Sequence, residues 1–265
     1  MILNDYFTLT VFWLVSAAFL AGFVDALVGG GGLIQIPALF TAFPKELPAT
    51  LLGTNKLSAV GGTLFAATRY LRQVHLPRRF MLVSCLCALL GSFYGAWVVT
   101  RVSAEFMRQG LPFILFALLV FTLANKQMGL SHRPQLTGIK AQIIIVIGSL
   151  GIGFYDGFFG PGTGAFLMFL FVYFLGFDFL HGAAATKLVN CVTNLAALAL
   201  FIPTGYINWN IALLMMFFNI LGGVSGSGLA IAKGSGLIRH FFVLVVLALT
   251  VKTADDSFGI LSFLK

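Results

Sequence analysis

The sequence predicts an all-α polytopic membrane protein that consists of two inverted-topology repeats with glycine-broken half-helices. The composition is the first basis for this prediction, because 59% of the 265 residues are hydrophobic and only 9% are charged. A soluble domain carries roughly 25% charged residues, so this chain could not cover a water-facing surface. The second basis is the motif Gly-Phe-x-Asp-x-x-x-Gly-x-Gly, which starts at Gly22 and again, 131 residues later, at Gly153.

Apolar segments follow one another along nearly the whole chain, and one spanning helix needs about 20 residues. In the first half the predicted membrane segments are residues 8–28, 33–43, 49–70, 80–100 and 110–125. In the second half they are residues 141–159, 165–177, 182–202, 211–232 and 237–251. Segments 33–43 and 165–177 are too short to cross alone, so we expect them to be half-helices that end inside the bilayer.

The charged loops divide the chain into three parts and indicate its topology. Residues 1–125 are the predicted first transmembrane repeat, 126–140 a cytoplasmic linker and 141–265 the second transmembrane repeat. The loop at residues 70–80 is basic, whereas the equivalent residues 201–210 carry no charge. Because basic loops stay in the cytoplasm, equivalent loops should face opposite sides and the two repeats should be inverted. Whether each glycine-broken hairpin crosses the membrane or is re-entrant stays open.

Glycines interrupt both repeats at the same place, as Gly-Gly-Gly-Gly at residues 29–32 and Gly-Pro-Gly-Thr-Gly at residues 160–164. Glycine costs a helix about 1 kcal/mol and proline about 3 kcal/mol, so the helix should break there. A break exposes N–H groups at the start of the next half-helix, where they and the helix dipole attract anions. The predicted substrate-binding residues at the breaks are Gly31, Gly32, Gly162, Thr163 and Gly164. Alternatively, the glycines only allow close helix packing.

Lys56 and Lys187 stand at the same position of the two repeats, inside apolar segments. A lysine at the centre of a membrane helix costs roughly 2.5–3.5 kcal/mol, so it is rarely kept without a task. Polar side chains surround both lysines, and we expect them to bind substrate too: Thr54, Asn55, Thr186, Asn190 and Asn194. Together they predict a central positive pocket, although snorkelling of the lysines toward an interface is the alternative.

Asp25 and Asp156 each lie four residues before a glycine break. Carboxylates within membrane segments are functional candidates, and these two are the candidates for proton coupling. Two other interpretations stay open. The aspartates could pair with the lysines structurally, or they could bind backbone N–H groups freed at the breaks.

Three features carry a family resemblance: the duplicated motif, its spacing to Thr-Asn-Lys at 54–56 and Thr-Lys at 186–187, and Pro-Thr-Gly-Tyr-Ile-Asn-Trp at 203–209. In these features the chain resembles the sulfite/organosulfonate exporter family of TauE/SafE type. The resemblance implies a multi-pass inner-membrane transporter that exports a small anion such as sulfite or an organosulfonate. Duplicated halves favour alternating access around a central site. The alternatives are an anion channel or a carrier of another small organic anion.

Other functions find little support in the sequence. The histidines and cysteines are scattered, without the spacing of a metal site or a nucleophile–base pair: His75, His132, His181, His240, Cys85, Cys87 and Cys191. We therefore expect no enzyme, no cofactor and no metal. The net charge of +8 lies mostly in short loops, where it sets topology, so nucleic acid is not an expected partner. The expected partners are a small anionic substrate and the lipid bilayer, and apolar faces would permit a homodimer.

Overall fold

The computed structural model describes residues 2–101, 132–134 and 138–258, and these contain helices and loops but no strand. The predicted segment 110–125 lies outside the described residues. In the first half the helices are α1 (Ile2–Val28), α2 (Gly32–Ala42), α3 (Pro48–Leu71) and α4 (Arg78–Val99). In the second half they are α5 (Ile139–Phe158), α6 (Thr163–Phe169), α7 (Phe179–Phe201) and α8 (Trp209–Phe258). A π-helical turn, Leu170–Phe174, continues α6.

Five helices of the described chain are long and apolar enough to cross a membrane: Leu9–Val28, Arg78–Val99, Ile139–Phe158, Phe179–Phe201 and Trp209–Ile238. The prediction of an all-α polytopic protein is therefore confirmed for this part of the chain. Helix α2 has 11 residues and is about 17 Å long, well short of a hydrocarbon core of about 30 Å. Helix α6 with its π turn is similarly short.

The helix boundaries repeat along the chain at the spacing of the motif. Three pairs of helices, one from each half, start 131 residues apart: α2 and α6 at Gly32 and Thr163, α3 and α7 at Pro48 and Phe179, α4 and α8 at Arg78 and Trp209. The breaks, the lysine-bearing helices and the helices that follow them thus occupy equivalent places in the two halves.

Two outer helix pairs are built in the same way, with α1 packed on α8 and α5 packed on α4. Each helix at the start of one half therefore packs on the last described helix of the other half. A Cβ at Gly22 would overlap the α8 backbone at Asn219, and a Cβ at Gly153 would overlap the α4 backbone at Ala88. These motif glycines let the helix backbones approach closely.

Helices α3 and α7 pack on each other, and they also contact α8 and α4 respectively. They bury polar side chains within the bundle, among them Thr54, Lys56, Thr186 and Lys187. A helix shielded by protein can carry polar residues that lipid would reject. This position explains why α3, although 24 residues long, is not among the five most apolar spans.

The structure agrees with the predicted segments at one place and differs from them at another. Residues 211–232 and 237–251 were predicted as separate segments, and α8 is accordingly two helices that meet at a kink at Gly234, whose φ of 72° is non-helical. A left-handed glycine permits this sharp kink without a loop. The predicted segment 165–177 begins as the seven-residue α6 and ends in the π-helical turn.

Candidate functional site

A cavity lies where the two glycine breaks meet the lysine-bearing helices. Its walls come from both breaks, from α2, α3, α5, α7 and α8, and from the end of α1. It offers about 30 Å³ to the centres of water-sized spheres, and one water needs roughly 10–15 Å³ on that measure. The cavity therefore holds about two waters in this conformation and must widen to admit a larger organic anion.

The two glycine breaks touch at the wall of this cavity. Gly29, at φ 81°, lies against the backbone of Gly164, and a Cβ on either glycine would overlap the other residue. In the second break Gly160 and Gly162 have φ values of 92° and 82°. The Tyr155 hydroxyl donates to the carbonyl of Pro161 at 2.6 Å. The broken backbone is thus enclosed by protein and borders a cavity, which are the two settings in which a membrane protein tolerates it.

The N–H groups expected to be free at the start of α2 are partly used within the break itself. Leu33 donates to the carbonyl of Gly30, and Ile34 and Gln35 donate to that of Gly31. Attraction of an anion by α2 would therefore rely on its dipole and on residues ahead of these three.

The lysines and aspartates form two ion pairs that cross between the halves. Lys56 of the first half lies with its Nζ 2.6 Å from Oδ2 of Asp156 in the second half. Lys187 of the second half donates from Nζ to Oδ2 of Asp25 in the first half at 2.7 Å. The structure thus favours the pairing interpretation of the aspartates.

The position of each aspartate explains why it needs a cation. Asp25 lies three residues before the end of α1, and Asp156 two residues before the end of α5. The carboxyl end of a helix carries partial negative charge, which disfavours a carboxylate. A lysine ammonium from the opposite half offsets both this repulsion and part of the cost of burial.

The two pairs differ in their surroundings. Lys56 and Asp156 both line the cavity, with side chains that are 4% and 3% exposed. Their contact is ionic rather than a well-aligned hydrogen bond, because Oδ2 of Asp156 has no hydrogen-bond partner among the described residues despite its short distance to Nζ. Lys187 is 0% exposed and does not line the cavity, whereas its partner Asp25 is 14% exposed and does.

The charges around the cavity cancel formally, since two ammonium groups face two carboxylates. The central pocket that the sequence predicts as positive is therefore neutral when all four groups are ionised. An anion can bind Lys56 only if it displaces Asp156 or if that carboxylate becomes protonated. In the low dielectric of a protein interior, this competition is stronger than it would be in water.

Neutral hydrogen-bonding groups complete the wall of the cavity. Gln35 is 1% exposed, and its Oε1 accepts a hydrogen bond from Nδ2 of Asn219 at 3.2 Å. Nε2 of Gln35 has no partner in the described part of the chain, and neither has Oδ1 of Asn55. Buried polar atoms of this kind normally bind water or ligand. Asn219 therefore fixes the carbonyl side of the Gln35 amide and leaves the N–H donors of Gln35 without a protein partner at the cavity.

The structure brings most of the predicted substrate-binding residues to the cavity, and it places the others elsewhere. Those that line it are Gly31, Gly32, Asn55, Lys56, Thr163, Gly164, Asn190 and Asn194, together with Asp25 and Asp156. Those that do not are Thr54, Gly162, Thr186 and Lys187. Thr54 instead binds backbone, donating to Thr50 at 2.7 Å and accepting from the N–H of Asn208 at 2.9 Å.

Three polar residues at the cavity were not predicted: Gln35, Thr63 and Asn219. Gln35 is the one amide in the apolar helix α2, and Asn219 is an amide within a long apolar stretch of α8. A polar side chain alone in such a segment is a signal that could have found both. Thr63 lies seven residues, about two helical turns, beyond Lys56 on α3. This spacing puts both residues on one helix face, so the sequence could also have indicated Thr63.

Comparison with known proteins gives a consistent result. A family model described as sulfite exporter TauE/SafE matches residues 14–253. A probable membrane transporter protein of Haemophilus influenzae is 38% identical over 92% of this chain and 94% of its own length. The probable membrane transporter protein ORF9 of a Sinorhizobium species is 37% identical over 92% of each chain. YfcA of Escherichia coli K12, also named a probable membrane transporter protein, is 36% identical over 91% of this chain and 88% of its own. No solved structure matches the chain.

Proposed function

This chain belongs to the sulfite exporter TauE/SafE family and is a multi-pass membrane transporter, and from that premise we propose that it exports a small anion across the inner cell membrane. Sulfite or an organosulfonate is the substrate class that fits the family description. The transporter names of the relatives are consistent with a protein that has no catalytic activity.

One observation carries this proposal: Lys56 lies at the cavity wall, 2.6 Å from a carboxylate that belongs to the other half of the chain. A small anion that enters the cavity offers the ammonium the same kind of oxygen as Asp156 does. Exchange of one oxyanion for the other costs far less than exposing a bare buried charge. The amide of Gln35, which has an unused N–H donor, supplies a further contact to a bound oxyanion.

Asp156 then couples anion binding to the movement of a proton. When Asp156 takes up a proton, Lys56 loses its partner and the cavity gains one positive charge, which favours the anion. Asp25 is the second candidate for this role because it also lines the cavity, but its lysine is fully buried behind it. We therefore assign the exchange step to Lys56 and Asp156, and a positioning role to Lys187.

The duplicated helix boundaries and the crossed pairs support inverted repeats with α2 and α6 as half-helices. The two outer helix pairs, α1 with α8 and α4 with α5, would rock around the cavity and open it to alternate sides. Each ion pair joins the two halves, so loosening of one pair frees the halves to move. An interior-negative membrane potential favours anion exit by roughly 2.3 kcal/mol per charge per 100 mV.

The test is transport of labelled sulfite by purified protein in liposomes, with a panel of sulfonates and carboxylates as competitors. Wild type is compared with Lys56→Met, and with Lys45→Met as a control because Lys45 is an exposed loop lysine. We expect saturable flux that Lys56→Met lowers at least about 100-fold, or about 2.7 kcal/mol, and that Lys45→Met leaves unchanged. Flux without saturation would indicate a channel. Equal flux in wild type and folded Lys56→Met would refute the site.

A further inference from the structure

Three potential metal ligands meet outside the cavity, where the linker between the halves touches the start of α7. They are His132 of the linker, Asp178 just before α7 and His181 in its first turn. One ligand atom from each residue lies within 4.8 Å of the other two. All three side chains are partly buried, with exposed fractions between 17% and 33%. They are thus held in place yet reachable from solvent.

The distances among these atoms suit one metal ion. Nδ1 of His181 lies 2.9 Å from Oδ1 of Asp178, and Nδ1 of His132 lies 3.9 Å from Oδ2. Two ligands of a tetrahedral zinc ion, each about 2.0–2.1 Å from the metal, are about 3.3 Å apart. The observed distances bracket that value, and the two imidazole rings, which are stacked with centroids 3.9 Å apart, would turn so that a nitrogen of each faces the ion.

The surrounding structure positions the ligands without help from a metal. The backbone N–H of Arg133 donates to the carbonyl of Gly176 at 2.8 Å, and the ring of Phe177 lies 5.4 Å from that of His132. Asp178 also caps α7 by accepting from the N–H of His181 at 2.7 Å. Residues 132–134 of the linker are therefore docked by a backbone contact, and Nδ1 of His132 lies beside the carboxylate of Asp178.

The groups of the cluster shift the pKa values of His132 and Asp178. Burial and the neighbouring His181 lower the pKa of His132, so its imidazole is neutral at neutral pH. Burial raises the pKa of Asp178, but hydrogen bonds from His181 outweigh it and bring that pKa below its ordinary value. Nδ1 of His132 accepts only a long hydrogen bond, 3.4 Å, from the N–H of Asp178, which a metal ion could readily replace.

From this geometry we propose that His132, Asp178 and His181 bind a divalent transition-metal ion of the zinc type. Two imidazoles and one carboxylate are a ligand set for zinc that leaves a fourth position to water. The ion would tie the linker to the loop ahead of α7, the helix that carries Lys187. This site is separate from the central cavity and does not depend on the identity of the transported anion.

The experiment measures binding of Zn²⁺, and of Co²⁺ as a spectroscopic substitute, to the full chain purified without a polyhistidine tag. His132→Ala removes one ligand, and Asp178→Asn removes the charge while keeping a good helix cap. His75→Ala and His240→Ala are the controls, because both histidines are exposed and lie outside the cluster. Absorption of bound Co²⁺ reports tetrahedral coordination, and the shift of the unfolding temperature with Zn²⁺ reports binding to the folded state.

We expect one ion per wild-type chain, with at least tenfold weaker binding in His132→Ala and Asp178→Asn and unchanged binding in both controls. Two results would overturn the proposal. One is that wild type binds less than one ion per chain at saturation. The other is that binding persists undiminished in His132→Ala and Asp178→Asn, which would place the metal elsewhere.

Discussion

The pair formed by Lys56 and Asp156 and the pair formed by Lys187 and Asp25 join equivalent helices of opposite halves, yet only the first has both members at the cavity. The second has a fully buried lysine and a well-formed hydrogen bond of 2.7 Å. Duplication of a sequence therefore copies the charges, but packing decides which copy has both members at the cavity. We interpret the first pair as one in which an anion can replace Asp156 as the partner of Lys56, and the second as a structural ion pair that stays formed.

The local sequence accounts for part of this difference. The first half has Gly-Thr-Asn-Lys at residues 53–56, where the second has Ala-Ala-Thr-Lys at residues 184–187. Asn55 borders the cavity beside Lys56, whereas the equivalent Thr186 is fully buried and does not reach the cavity. The additional amide gives the first lysine a polar neighbour that can bind water or substrate.

The largest expected effect is a loss of stability when the ion pair of Lys187 and Asp25 is broken. Lys187→Met leaves the carboxylate of Asp25 without its lysine in the interior, and removal of one member of a buried pair costs roughly 3–5 kcal/mol. Lys56→Met should cost a similar amount, because Asp25 and Asp156 both line the cavity, where water can reach them. Thermal unfolding of both variants in detergent measures the two losses. Addition of Asp25→Asn to Lys187→Met should recover most of the loss, and failure to recover would argue against the pair as its cause.

The second prediction concerns the contribution to stability of the backbone contact between the two breaks, apart from that of the ion pairs. Gly29→Ala places a Cβ against the backbone of Gly164 at a left-handed φ of 81°, so we expect a loss of about 1–3 kcal/mol in stability. Gly32→Ala is the matched control, since its Cβ would meet neighbours at 3.6 Å, an ordinary contact distance. Equal unfolding temperatures for the two variants would show that the breaks do not need to touch.

The third prediction tests whether the two aspartates share the coupling role. We assign the coupled proton to Asp156 because that carboxylate pairs with Lys56 at the cavity, so flux should respond to an imposed pH gradient. In Asp156→Asn the position can no longer ionise, and flux should lose this response. Asp25→Asn should keep it. Flux measured with imposed pH gradients decides, and a response that is lost in Asp25→Asn alone would reverse the assignment.

The smallest expected effect is that of the neutral donor at the cavity. Gln35→Met removes an N–H donor for a bound oxyanion, and hydrogen bonds to charged groups are worth about 1.5–3 kcal/mol. We expect the half-saturating anion concentration to rise about tenfold, or about 1.4 kcal/mol, at an unchanged maximal rate. The exposed Gln73 provides the control as Gln73→Met. A changed maximal rate with unchanged half-saturation would contradict a role in binding.

The sequence predicted much of the fold, because hydropathy and helix-breaking residues act locally. The short helices and both breaks follow from the glycine runs at 29–32 and 160–164, and they lie where the sequence placed them. The division of residues 211–251 into two segments also agrees with the structure, because the non-helical Gly234 separates two helices within α8. The family resemblance is confirmed by the match over residues 14–253.

The site was only partly predictable, because its decisive contacts join residues far apart in the chain. The sequence indicated that Lys56 and Lys187 were important, but not that each pairs with an aspartate of the other half. Similarly, no spacing rule connects His132 with Asp178, which lie 46 positions apart. Long-range packing, which a periodic pattern does not encode, determines both.

The most direct test of the account compares two double variants, each of which removes one complete ion pair and leaves no buried charge unpaired. Anion efflux from liposomes, without a pH gradient, is measured for Lys56→Met/Asp156→Asn and for Lys187→Met/Asp25→Asn, after both are shown to be folded. The account predicts that the first double variant loses transport at least about 100-fold, whereas the second retains it within about threefold. Transport that survives in the first variant and is lost in the second would contradict it.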